Sequence, residues 1–345
     1  MLSRTWVLAL LFACSVASAD SPQQFVSIGD LELVSGETLL DAHIGFRTAG
    51  TLNEDKSNVL VFPTWFSGTT GNLIKYQQIG PGKLADTDRY FVIAVDSLAN
   101  GVSSSPSNST RQPGKQFPRL AIADMVSSQH ALLTGHFGLN RVHAIMGISM
   151  GGMQTFSWIG QYADFMQKAV AIDGSPRATS YDLLQWHSHE SAIEMMQQAG
   201  IENAKIMKFL STLSLLTLWT PGYFVENITP EALPKFVEDS TQDSGKGDAN
   251  DYLVQLRAMI GHDVYANDSR DEIPYVKRVH ADLLVIGTTD DHMVNAQPGR
   301  ELSRSLGEQH VAIDSNCGHL GSSCEAARVT TVVHEFLESG SDSNE

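Results

Sequence analysis

A serine held between two glycines limits the folds open to this chain more than any other segment. The segment from Gly147 to Gly151, with Ser149 at its centre, follows an apolar run, residues 142–146, that has the length of a buried strand. Residues 153–159 then have helical character. Small residues two positions before and after a serine permit a sharp turn between a strand and a helix. The sequence therefore predicts that this turn presents Ser149 as a nucleophile. The alternative is a chance match in a glycine-containing loop.

Apolar runs of strand length alternate with helical segments along most of the chain. The strand candidates are residues 59–62, 91–95, 142–146, 168–172, 283–287 and 311–313. Such alternation predicts an α/β fold with a mostly parallel sheet flanked by helices. We also expect an N-terminal hairpin or meander with turns at Gly29-Asp30 and Ser35-Gly36, and a helix over residues 122–137.

The alternation stops between residues 175 and 271, where helical segments rich in methionine and leucine replace it. This change predicts a helical lid, residues 175–271, inserted into a core made of residues 20–174 and 272–340. One large α/β domain with such a lid fits a chain of 345 residues.

A serine nucleophile needs a base, and the base needs an orienting acid. In chains of this architecture the order is serine, acid, histidine. Two adjacent aspartates, Asp290 and Asp291, follow the strand candidate at residues 283–287. A histidine, an apolar pair and a turn residue follow directly and anchor the loop beside Asp291. We therefore expect Asp291 to be the acid and Asp290 to cap or solvate the loop.

His319 is the expected base. It lies between glycines in a loop that follows the strand candidate at residues 311–313. Because the carboxyl ends of parallel strands meet at one edge of a sheet, this histidine, the acid and the serine should meet there. His292 and His310 are the alternative bases.

The first residues have the pattern of a secretory signal peptide. A basic residue precedes a short apolar stretch, residues 6–13, and small residues follow up to Ala19. We expect residues 1–19 to be removed by cleavage after Ala19, which makes the protein secreted or periplasmic. A lipid anchor at Cys14 is the alternative.

Two cysteines, Cys317 and Cys324, remain after that cleavage and flank His319. An oxidising compartment favours their pairing in a disulfide that would stiffen the loop carrying the base. Two reduced thiols are the alternative.

The net charge limits the classes of partner that the protein can bind. A net charge of −16, from 39 acidic and 23 basic residues, argues against nucleic acid and anionic membranes, and disfavours a polyanionic acyl donor. No stretch after the leader is apolar enough for stable insertion into a bilayer. His187 and His189 have no carboxylate or cysteine framework beside them, so we expect them on a helix surface. The sequence thus predicts no metal and no other cofactor.

Several segments together resemble the homoserine O-acetyltransferase family. They are residues 79–87, 90–94, 117–126, 147–154, 248–253 and 262–263. The resemblance extends over nearly the whole mature chain and implies an α/β-hydrolase fold with a mostly parallel sheet and an inserted helical lid. It also implies a catalytic triad of Ser149, Asp291 and His319, a ping-pong route through an acyl-enzyme, and a homodimer formed through the lid.

The chain departs from the acetyltransferases at three places. In that family an aspartate after the histidine holds the amino group of homoserine, whereas Leu320 stands here and cannot pair with an ammonium group. Residues 62–68 and 100–106 also replace sequences usual in the family. These departures leave the acyl-enzyme chemistry intact, and at these positions the chain resembles the hydrolytic members of the family.

These observations predict an exported esterase that hydrolyses small carboxylic esters through an acyl-enzyme. The oxyanion is expected between the backbone N–H groups of Met150 and Trp65, and the substrate pocket beside Phe66 and Leu320. Two alternatives stay open. One is an O-acetyltransferase that uses acetyl-coenzyme A as donor and an alcohol as acceptor. The other is a catalytically inactive scaffold that binds a small ligand.

Overall fold

The computed structural model describes residues 21–266 and 274–340. The predicted signal peptide, its cleavage site after Ala19 and the alternative lipid-anchor site at Cys14 lie outside these residues. The predicted start of the second core segment at residue 272 lies outside them too. Within the described ranges, no helix is both long enough and apolar enough to cross a bilayer.

An eight-stranded sheet lies at the centre of the fold. The described residues contain these strands, of which all but β4 and β5 belong to that sheet: β1 (Gln24–Glu32), β2 (Thr38–Ala49), β3 (Val59–Pro63), β4 (Ile79–Gly80), β5 (Ala85–Asp86), β6 (Phe91–Val95), β7 (Val142–Ile148), β8 (Met166–Ile172), β9 (Asp282–Thr288) and β10 (Gln309–Ile313). The order in the main sheet is β1-β2-β6-β3-β7-β8-β9-β10, and β4 pairs with β5 separately. Strand β2 is antiparallel to both of its neighbours, whereas all the other strand pairs described are parallel.

Helices follow most of the parallel strands. They are α1 (Thr70–Lys75), α2 (Ile122–Ala131), α3 (Met150–Gln161), α4 (Ser180–Gln198), α5 (Asn203–Leu218), α6 (Pro221–Asn227), α7 (Leu233–Thr241), α8 (Ala249–Ile260), α9 (Tyr275–Arg278), α10 (Gln297–Leu306), α11 (Gly321–Cys324) and α12 (Ala326–Glu338). Helices α4 to α8 are inserted between β8 and β9, and we call these five helices the lid.

The two faces of the sheet bury two separate apolar clusters. Val59 and Val61 of β3 join the cluster that includes Met153 of α3, whereas Leu60 and Phe62 join the cluster on the opposite face. Successive side chains of a strand point to opposite faces, so an uninterrupted apolar strand fills both clusters. This is why the parallel strands have continuous apolar sequences instead of alternating ones.

The predicted strands are present, and the structure extends several of them by one or two residues. The turn expected at Gly29-Asp30 is wrong. Both residues lie inside β1, and the register with β2 is irregular around Gly29, whose φ is +76°. A glycine with positive φ within a strand is typical of a bulge, which explains why the sequence signal resembled a turn. The helix expected over 122–137 ends as α2 at Ala131 and continues as a π-helical turn.

Candidate active site

Ser149 occupies a strained turn between β7 and α3. Its φ is +57°, a conformation that costs a residue other than glycine free energy and that concentrates at functional sites. A Cβ at position 147 would lie 2.1 Å from the carbonyl oxygen of Gly151, and a Cβ at position 151 would lie 2.9 Å from that of Pro63. Glycine is therefore needed on both sides of the serine, for the steric reason that the sequence pattern indicated.

Ser149, His319 and Asp291 form a hydrogen-bonded series. The distance from Ser149 Oγ to His319 Nε2 is 2.8 Å, and that from His319 Nδ1 to Asp291 Oδ2 is 2.6 Å. The other oxygen of Asp291 accepts the N–H groups of Met293 and Val294, at 2.8 and 2.9 Å. The side chain of Asp291 is thus fixed by its own loop while it orients the imidazole.

The structure brings Asp291, and not Asp290, to the histidine. Asp290 is exposed on the same loop. Of the alternative bases, His310 lies on β10, and His292 lies in the acid loop with its ring 6.5 Å from that of Tyr181.

The carboxylates around His319 control its protonation. Burial by itself lowers the pKa of His319, but the charge and hydrogen bond of Asp291 raise the pKa above its ordinary value, and Asp173 adds to the rise.

Asp173 is a second buried carboxyl group near the series. Burial, with the nearby charge of Asp291, raises the pKa of Asp173 to about 6. Its Oδ1 accepts both the N–H and the hydroxyl of Thr288, whereas its Oδ2 has no hydrogen-bond partner among the described residues. Sequence reasoning missed this group because Asp173 follows β8 outside any recognisable motif.

The two backbone N–H groups predicted to hold the oxyanion are unpaired. Among residues 21–266 and 274–340, neither the N–H of Met150 nor that of Trp65 has a hydrogen-bond acceptor. Met150 is fully buried at the first position of α3, where the helix dipole favours negative charge. A buried N–H without a partner is rare in native proteins, so the N–H of Met150 is suited to receive an oxygen from a ligand.

The two residues expected to line the substrate pocket are partly buried. Phe66 packs its ring edge to face against Tyr252 of α8, with the centroids 4.5 Å apart. Leu320 follows His319 in a short 3-10 turn. Phe66 therefore joins the segment between β3 and α1 to the lid.

The lid contacts the loops that carry the acid and the histidine. Asp182 of α4 accepts the N–H of Asn295 at 3.0 Å, and Gln185 donates to the carbonyls of residues 292 and 293. The Thr220 hydroxyl, at the start of α6, donates to the carbonyl of Asn316 at 2.5 Å. Sequence reasoning missed these contacts, because the partners are about 95 residues or more apart in the chain.

A disulfide joins Cys317 and Cys324, on either side of His319.

The expectation that His187 and His189 both lie on a helix surface is wrong in part. His187 is exposed on α4, but His189 is buried and its Nδ1 lies 2.9 Å from the hydroxyl of Tyr252. The apolar packing between α4 and α8 explains its burial. The described residues contain no group of three or more potential metal ligands.

The fold and this site define an α/β protein that presents a serine on a strand–turn–helix elbow. A family model described as "alpha/beta hydrolase fold" matches residues 59–323, and the chain belongs to that family. The predicted fold class is thereby confirmed.

Named relatives fall into two groups. A probable esterase of Corynebacterium glutamicum is 38% identical over 170 residues, which cover 49% of this chain and 48% of the relative. An ethyl acetate hydrolase of Pseudomonas veronii is 38% identical over 164 residues, which cover 47% of each protein. The matches thus span about half the length of these two relatives. A homoserine O-acetyltransferase of Methanococcoides burtonii is 28% identical over 90% of this chain and 72% of the relative.

A solved structure agrees with these matches. The acetyl esterase MekB superposes with a TM-score of 0.85 at 27% identity, over 92% of this chain and 97% of the other. The resemblance to the homoserine O-acetyltransferase branch of the α/β hydrolases, which includes esterases, is therefore confirmed.

Proposed function

We propose that this chain is an enzyme that hydrolyses small carboxylic esters through an acyl-enzyme on Ser149. The observation that carries the proposal is the hydrogen-bonded series from Ser149 Oγ through His319 to Asp291. It places a nucleophile, a base and an orienting acid within reach of one another beside an unpaired helix N–H.

The chemistry follows from these contacts. As Ser149 Oγ bonds to the ester carbonyl carbon, His319 Nε2 takes the hydroxyl proton, and the carbonyl π electrons move onto oxygen beside the N–H groups of Met150 and Trp65. The intermediate then expels the alcohol, which receives the proton from His319. Water repeats the sequence on the acyl-enzyme, with His319 again as base, and releases the carboxylic acid and free Ser149.

Three observations favour hydrolysis over acetyl transfer. The net charge of −16 disfavours a polyanionic donor such as acetyl-coenzyme A. Leu320 stands directly after the histidine and offers no charge to an amino-alcohol acceptor. The esterase relatives also share higher identity with this chain, although over a shorter stretch. Acetyl transfer to an alcohol remains the second candidate because the acetyltransferase match covers 90% of the chain.

The closed surroundings of the serine favour a short acyl group. Ser149 and His319 are each only 7% exposed. A Cβ at Gly318 would lie 3.0 Å from the carbonyl oxygen of Leu218, so the end of α5 packs directly against the histidine loop. We therefore expect acetyl esters to fit and long-chain esters to be excluded.

The proposal is tested with p-nitrophenyl acetate and p-nitrophenyl octanoate, without an added acceptor. We expect sustained release from the acetate, a kcat/KM at least about tenfold lower for the octanoate, and loss of activity after treatment with an organophosphate. A burst that stalls until an alcohol is added would establish the transferase instead. Absence of both turnover and organophosphate labelling would refute the acyl-enzyme and favour the binding scaffold.

The Asp173→Asn variant should work at lower pH than the wild type. His319 acts as a base only when neutral, so kcat/KM falls as the pH drops through its pKa. Removing the negative charge of Asp173 lowers that pKa, so the acid limb should move to lower pH. Asparagine keeps an oxygen for the two donors of Thr288.

The pH dependence of kcat/KM for p-nitrophenyl acetate checks this shift. Asp124→Asn is the matched control, because it also removes a buried carboxyl group but lies at the start of α2. Its acid limb should coincide with that of the wild type. An acid limb of Asp173→Asn that stays in place or moves to higher pH would contradict the assignment.

A further inference from the structure

The loop from Thr64 to Ser67, which we call the oxyanion loop, must be held in one orientation. It joins β3 to α1, and its Trp65 N–H is one of the two unpaired groups predicted to hold the oxyanion. Ser67 has a φ of +55°, a conformation that persists only where surrounding contacts fix it. The question is which side chains supply those contacts.

Gln154 of α3 holds the first peptide of this loop. Its Nε2 donates to the carbonyl of Thr64 at 3.1 Å and to that of Met150 at 3.2 Å. In a trans peptide the carbonyl and the following N–H point in opposite directions. A carbonyl of Thr64 fixed towards Gln154 therefore directs the N–H of Trp65 away from it.

The amide of Gln154 is itself held from the other side. Its Oε1 accepts from Ser97 Oγ at 3.0 Å and from Gln129 Nε2 at 2.5 Å, and Trp158 Nε1 donates to Gln129 at 2.8 Å. These side chains are at most 1% exposed. Because both ends of the Gln154 amide are paired within the core, the amide cannot rotate without leaving buried groups unsatisfied.

Gln255 of the lid helix α8 holds the other end of the loop. Its Oε1 accepts the N–H of Ser67 at 2.8 Å, and its Nε2 donates to the carbonyl of Leu98 at 2.9 Å. Gln255 is fully buried. The oxyanion loop is thus bound by one glutamine from the core, which shares the Thr64 carbonyl with Ser97 Oγ at 3.2 Å, and by a second glutamine from the lid.

We propose that Gln154 and Gln255 are positioning residues that fix the oxyanion loop, so that the Trp65 N–H meets the oxyanion formed on the ester carbonyl. This inference rests on the proposed esterase function, and it gives the lid a role in assembling the site. Neither glutamine touches the substrate. Gln154 sets the direction of the N–H, and Gln255 limits the movement of the segment that follows it.

The test compares p-nitrophenyl acetate with its thiono analogue, in which sulfur replaces the carbonyl oxygen. Donors placed for an oxyanion stabilise oxygen more than the larger, weaker acceptor sulfur. The measured quantity is the kcat/KM for the oxygen ester divided by the kcat/KM for the thiono ester. This ratio does not depend on how much enzyme is folded. We expect Gln154→Met to lower this ratio about tenfold or more, and Gln255→Met to lower it less.

Gln112→Met is the matched control. Like Gln255, Gln112 accepts one backbone N–H and donates to one backbone carbonyl. Its partners, the N–H of Leu40 and the carbonyl of Thr38, lie on β2. Its ratio should equal that of the wild type. Hydrogen exchange of residues 64–68, which needs no turnover, should accelerate in Gln154→Met and Gln255→Met and not in Gln112→Met.

The outcomes separate the two proposals. Unchanged ratios and unchanged loop exchange in the folded variants would overturn the positioning role. Failure of the wild type to turn over either ester would refute the esterase function, while the exchange measurement would still decide whether the glutamines hold the loop. If Gln154→Met does not fold, Gln255→Met decides alone.

Discussion

Replacing Ser149 with alanine is expected to lower kcat for p-nitrophenyl acetate about 10⁶-fold. The hydroxyl is the atom that would bond to the carbonyl carbon, and His319 lies 2.8 Å from it. Without it the unpaired N–H groups still bind the ester, but no acyl-enzyme forms. Assays with p-nitrophenyl acetate check the loss of kcat. Mass spectrometry of the protein after organophosphate treatment checks that the variant forms no covalent adduct.

Loss of structure does not account for the expected change. Alanine retains the Cβ, so the backbone at φ +57° is strained equally in both proteins. The variant loses one hydrogen bond, worth about 1 kcal/mol in the free energy of unfolding. Ser157→Ala removes a buried hydroxyl from α3, the helix that follows Ser149, and should keep full activity. A Ser149→Ala kcat within about 100-fold of the wild type would assign the nucleophile elsewhere.

The sequence was most informative where one short segment sets its own geometry. The elbow could be predicted because steric contact within a few residues demands glycine at 147 and 151. The choice of Asp291 over Asp290 rested on the residues directly after it, and two of these, Met293 and Val294, donate their N–H groups to its carboxylate. Local geometry of this kind is visible in the order of the residues.

The sequence was least informative where distant segments meet. Gln255 lies 188 residues from Ser67 and 157 from Leu98, and it stands outside the short segments that resemble the family. Helices α6 and α7 were not predicted either, because they are only seven and nine residues long. Their positions depend on packing within the lid, which no single segment specifies.

Asp291→Asn should lower kcat about 10⁴-fold because it favours the wrong tautomer of the His319 imidazole. Asparagine can keep its oxygen on the N–H groups of Met293 and Val294, which turns its NH₂ towards His319 Nδ1. Nδ1 must then accept, so the proton sits on Nε2, the atom that has to take the proton from Ser149. The geometry survives, but the base is blocked.

Asp290→Asn is the control for this prediction because it changes an adjacent, exposed carboxylate on the same loop. It should leave kcat within about twofold of the wild type, since screened surface charges interact weakly. Equal losses in both variants would indicate disruption of the loop. Near-full activity of Asp291→Asn would make Asp173 the next candidate for the acid, because its buried charge raises the pKa of His319 more than that of Asp182 does. The double variant Asp173→Asn with Asp291→Asn would then have to lose the activity that the single variant kept.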